Sequence, residues 1–77
     1  MKFSTLRDME VNVDKLKVLR IDQGLSQRAL AQRAGLSQTS IWKIERGGGV
    51  NPATLKKLAD VLGVRPTDLL VKGPADA

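Results

Sequence analysis

The stretch SQRALAQRAGLSQTSIWKIERG, residues 26–47, decides how the chain is read. It holds two short helical patterns separated by a glycine. Ser26 is placed to cap the first, Gln27 to Ala34, on which Leu30, Ala31 and Ala34 form an apolar stripe. Ser37 is placed to cap the second, Gln38 to Arg46, on which Ile41, Ile44 and Glu45 share a face. Gly35 stands between them, where a residue without Cβ can take the left-handed conformation. Ala31 is small where two helices joined by so tight a turn must cross closely, and Leu36 fills the angle beneath the turn. At about 100° per residue, Thr39, Lys43 and Arg46 point away from Ile41 and Ile44, with Trp42 at the edge. The second helix therefore turns a polar, basic, hydrogen-bonding face outward.

The same punctuation continues on both sides. A helix from about Asn12 to Gln23 has Asn12 as cap, Asp14 in its first turn and Gly24 just past its end. Leu16, Leu19, Arg20 and Gln23 share one of its faces. Another helix has Asn51 as cap, Pro52 in first position and Gly63 as its stop, with Leu55, Leu58, Ala59 and Leu62 inward. A fifth, short helix starts at Pro66 and includes Leu69 and Leu70, although Arg65 is a poor cap for it. No alternating run of β-branched or aromatic residues suggests strands. The pattern predicts a compact all-α domain of four to five helices over residues 12–71. Residues 1–11 read as an N-terminal extension and residues 72–77 as a flexible tail. Phe3, Leu6, Met9 and Val13 fall at helical spacing, while Val11, Val18 and Ile21 lie opposite Leu16. An apolar stripe of that kind is expected to be covered, by the N-terminal segment or by a second subunit.

Composition narrows the function. The 77 residues carry thirteen Lys and Arg against eight Asp and Glu, a net charge of +5. A chain of this size buries only about 60% of its unfolded surface, so self-association is an expected supplement to its core. The absence of His and Cys removes the commonest general base, thiolate nucleophiles and the usual transition-metal ligands, so no enzyme, metal or cofactor is expected. The N-terminus has no apolar core of a secretory signal, and the longest charge-free runs, 34–42 and 47–55, fall short of the roughly 20 residues that span a bilayer. A cytoplasmic protein without membrane contact is the expectation. Between Gly24 and Ala59 the bases are Arg28, Arg33, Lys43, Arg46, Lys56 and Lys57, and the acid is Glu45 alone. The excess positive charge is thus concentrated in the middle of the chain. It is either a solvated surface or a face for a polyanion.

Two short helices around a glycine turn form the pattern of a helix-turn-helix, whose second helix enters the DNA major groove. Residues 16–70 resemble the lambdoid phage repressor and Cro type of domain, the XRE family. The resemblance rests on Leu16, Leu19-Arg20, Gly24-Leu25-Ser26-Gln27, Leu30-Ala31, Gly35-Leu36-Ser37-Gln38, Ile41, Ile44-Glu45-Arg46-Gly47 and Leu55 through Leu62-Gly63-Val64. It implies a five-helix, lambda-repressor-like fold that binds operator DNA as a two-fold homodimer. It implies that Gln27 grips phosphate and supports Gln38, that Gln38, Thr39 and Lys43 face bases, and that Arg20 and Glu45 pair between the first and third helices. Trp42 departs from the family, standing where a small or polar residue is common; it is either a partly buried edge residue or an apolar contact to a thymine methyl.

The sequence therefore predicts a sequence-specific transcriptional regulator, most simply a repressor, with double-stranded DNA as partner. Base contacts are expected from Gln38, Thr39, Lys43 and Trp42, and backbone contacts from Gln27, Arg28, Ser37, Ser40, Arg46 and Lys56. Phage-type repressors, restriction-modification controllers and self-repressing antitoxins all fit. The alternative is a protein-interaction module on the same fold, such as an antitoxin, for which Trp42 and the stripe on the first helix speak. Gly47-Gly48-Gly49 is not a phosphate cradle of the P-loop kind, because no Gly-Lys-Ser/Thr follows it.

Overall fold

The computed structural model describes residues 10–71. The expected Phe3, Leu6 and Met9 stripe and the 72–77 tail lie outside them. Four α-helices follow one another: α1 (Val13–Asp22), α2 (Gln27–Ala34), α3 (Gln38–Glu45) and α4 (Pro52–Leu62). A 3-10 turn, Pro66–Leu69, closes the unit. The third helix stops one residue earlier than the spacing predicts, with Arg46 as its C-cap.

Each α-helix starts on a side-chain oxygen that accepts an orphan backbone N–H. Asn12 Oδ1 accepts from Lys15 N at 3.1 Å, Ser26 Oγ from Ala29 N at 3.0 Å, Ser37 Oγ from Ser40 N at 3.1 Å, and Asn51 Oδ1 from Thr54 N at 2.8 Å. The helix ends are equally uniform. An N–H two or three residues past each helix donates back to a carbonyl five residues earlier, from Leu25 to Arg20, Leu36 to Ala31, Gly48 to Lys43 and Val64 to Ala59. The 3-10 turn has no side-chain cap from Arg65; instead Asp68 Oδ2 accepts from the Arg65 N–H at 3.1 Å.

The core takes one large, fully buried side chain from each element: Leu16 from α1, Leu30 from α2, Ile41 from α3, Leu58 from α4 and Leu69 from the 3-10 turn. Ala31 and Ala59 let the helices approach closely, and both are buried. α2 packs on α3 and α4, α1 reaches α3, and the 3-10 turn seats on α4 and α1. Burial of a Leu or Ile side chain contributes about 1.5–3 kcal/mol, so these five residues carry much of the stability.

Two positions differ from the sequence pattern. Val11 was expected on the exposed side of α1, but it is 6% exposed and joins the core. It precedes the helix, so the helical wheel does not govern it. It pairs with Leu70 in an isolated antiparallel bridge, and Asn12 N donates to Leu69 O at 2.8 Å while Val71 N donates to Glu10 O at 3.1 Å. The two ends of the described chain are thereby tied together by a strand-like pairing. Val50 is the second such position, a loop residue only 3% exposed that joins the core.

Candidate nucleic-acid interface

The turn between α2 and α3 fixes the angle at which α3 is presented. Gly35 takes φ 72 and ψ 32, the left-handed conformation that costs a residue with Cβ about 1–2 kcal/mol. Leu36 follows it, partly buried against the core. α3 is then held by Ile41, Ile44 and Glu45, all buried, and its other face is open: Gln38, Thr39, Trp42, Lys43 and Arg46 are exposed and Ser40 is half-buried.

Behind that face lies a buried ion pair. Arg20 Nε donates to Glu45 Oε2 at 2.6 Å and Arg20 Nη2 to Glu45 Oε1 at 3.1 Å, a bidentate arrangement linking α1 to α3. The remaining groups are satisfied: Arg20 Nη1 donates to Leu25 O at 2.9 Å, and Gln27 Nε2 donates to Glu45 Oε1 at 3.1 Å. The glutamate side chain is 2% exposed and the arginine side chain 13%. Glu45, the one acid of the basic window, is thus turned inward and neutralised, and the charge on the outer face of α3 is purely positive.

The other expected contact residues fall into distinct settings. Gln27, expected to grip phosphate and support Gln38, donates an amide N–H to Glu45 and so also braces the ion pair. Arg28 is exposed in the first turn of α2, beside the helix's positive dipole end. Ser37 and Ser40 hydroxyls bond each other at 3.0 Å while Ser37 caps α3. Lys56 donates to Asp60 at 2.8 Å one turn on along α4, an exposed pair that water and salt screen. That partner lies one residue beyond the basic window, which therefore overstates the free charge on α4. Arg46 stacks on Trp42, its guanidinium carbon 4.6 Å from the ring centroid. Trp42 is 47% exposed, at the rim of the face.

Alongside α3 an open notch of about 250 Å³ is lined by Ser40, Lys43, Ile44, Gly48, Gly49, Val50, Asn51 and Thr54. Gly48 has no room for a side chain: a Cβ there would stand 2.9 Å from the Lys43 carbonyl oxygen. The notch thus joins the last turn of α3 to the N-terminus of α4, where unpaired N–H groups favour anions.

A central helix-turn-helix, an internal Arg–Glu brace and an exposed polar third helix agree with the helix-turn-helix family profile, which matches residues 16–69. The chain belongs to the XRE-type helix-turn-helix family. Among XRE-type proteins, the HTH-type transcriptional repressor RghR of Bacillus subtilis is 38% identical over 66 residues, covering 83% of this chain and 49% of RghR. The chain spans about half the length of that relative. The restriction-modification controller protein C.AhdI from Aeromonas hydrophila superposes with a TM-score of 0.66 at 36% identity, covering 70% of this chain and 83% of C.AhdI. The biofilm master regulator SinR, solved in complex with DNA, superposes with a TM-score of 0.63 at 32% identity, covering 70% of this chain and 89% of that one. Among the described residues no helix is long and apolar enough to cross a membrane.

Proposed function

We propose that this chain is a sequence-specific DNA-binding transcriptional regulator acting in the cytoplasm. In this reading α3 enters the major groove and two copies bind a two-fold operator. One observation carries it: the third helix of the XRE-type motif is anchored by a buried, neutralised face and presents Gln38, Thr39, Lys43 and Arg46 outward. Gln38 offers an amide that matches the N6 and N7 edge of adenine, Lys43 donates to guanine O6 or N7, and Thr39 can do either. Arg28, the α2 N-terminus, Ser37, Ser40 and Arg46 sit where they set register against phosphates. Lys56 adds to this once DNA competes with Asp60 for its ammonium. RghR is a transcriptional repressor by name and SinR was solved on DNA, which supports repression as the outcome.

Selection of bound sites from a random duplex pool, followed by gel-shift titration of the best site against random DNA, tests the reading. A regulator prefers its selected site by roughly 10³-fold or more; selection that returns no consensus overturns it. A second reading is favoured by Val18 and Ile21, each 64% exposed on one side of α1: the same domain also docks a protein partner there.

A further inference from the structure

We propose that Trp42 is a positioning residue whose indole presets Arg46 as a phosphate clamp at the end of α3, rather than a residue that reads bases. The inference rests on the DNA-binding reading above and assigns a role to a side chain that departs from the family pattern. Trp42 and Arg46 are four apart, the helical spacing at which side chains meet, and the guanidinium carbon lies 4.6 Å from the ring centroid. The backbone under Arg46 is fixed at the C-cap of α3, since its N–H donates to Lys43 O at 3.1 Å and the next N–H, of Gly47, donates to Ile44 O at 3.0 Å. Among the described residues the ion pairs are Arg20–Glu45 and Lys56–Asp60, so no described carboxylate engages the Arg46 charge.

The geometry of the guanidinium completes the argument. Its five N–H donors lie in its own plane, so an aromatic ring against one face leaves the donor edge open for two phosphate oxygens. An arginine free in water loses rotamer freedom when it binds, which weakens binding by roughly 2- to 12-fold per side chain. A stack already formed in the free protein removes part of that loss. The ring, with one side covered by its own arginine, is the support and Arg46 is the contact.

The test compares Trp42→Leu, Trp42→Phe, Arg46→Ala and the Trp42→Leu/Arg46→Ala double variant on the selected site and on random duplex across a salt series. Trp42→Leu is expected to weaken both DNAs about 3- to 10-fold alike, with the salt slope unchanged, and Trp42→Phe to recover most of the loss. Arg46→Ala is expected to lower the slope by about 0.9 per protomer, and adding Trp42→Leu to it to change nothing further. Trp42 is the one tryptophan, so its fluorescence reads the stack without DNA: Arg46→Ala is expected to increase acrylamide quenching of the indole. Relaxed preference at a single base pair in Trp42→Leu, or additive losses in the double variant, would overturn the positioning role. Failure of the wild-type chain to prefer any site would instead overturn the underlying DNA reading.

Discussion

Glu45 is the residue on which the binding face most depends, although it never reaches that face. Its carboxylate is held by Arg20 and Gln27 in a site that is 2% exposed, and that placement removes the one negative charge from the middle of the chain. A buried pair gains little over apolar residues of the same shape, but breaking it leaves an uncompensated charge. Arg20→Ala strands the more buried partner and is expected to cost about 3–5 kcal/mol. Glu45→Ala is expected to cost less, near about 3 kcal/mol, because Arg20 keeps Leu25 O and some access to water. Replacing both together, Arg20→Met with Glu45→Leu, is expected to recover most of the loss; urea unfolding of the three variants measures this. Equal losses in all three would show that the pair is not what links α1 to α3.

Helices, not side chains, carry what was readable in advance. Ser26, Ser37, Asn51 and Gly35 act within one helical turn of themselves, and local chemistry of that kind is written in the order of residues. The elements and their inward stripes followed directly from it. Burial that depends on distant partners did not. Val11 is buried where it pairs with Leu70, and Val50 is a loop residue that joins the core; neither position belongs to a periodic pattern. Gln27 was assigned to DNA by resemblance, yet only packing reveals that its amide faces Glu45. The Lys56–Asp60 pair was legible in its spacing but fell across the edge of the charge window. At this scale, Gly35→Ala is expected to lose about 1–2 kcal/mol through backbone strain alone, since the added Cβ meets nothing within 4 Å. Gly35→Asn is expected to lose less, because Asn tolerates the left-handed region. Ser37→Ala removes the cap of α3 and is expected to cost about 0.5–2 kcal/mol. Thermal unfolding followed by circular dichroism checks all three, and a larger loss in Asn than in Ala would contradict the explanation of the turn.

The molecule is a small helical unit with its excess positive charge in the middle of its sequence and two of its most exposed apolar residues, Val18 and Ile21, on α1. The net +5 is produced by the middle of the chain, where Glu45 is internal. Val18 and Ile21 are exposed on α1 rather than on α3, a surface of the kind that suits a second copy or another protein. If two copies bind one operator, binding is expected to rise more steeply than one-to-one with protein concentration, as a gel-shift titration at fixed DNA reads directly.

The central claim is that the outer face of α3 reads DNA sequence, and one comparison addresses it. Gln38→Ala and Lys43→Ala are each titrated against the selected site and against variants carrying single base-pair changes, at fixed salt. The expected result is a loss of about 1–3 kcal/mol of discrimination, confined to the base pair each side chain faces, with binding to random duplex little changed for Gln38→Ala. If both substitutions leave every base preference intact, α3 is not the reading element and the account fails.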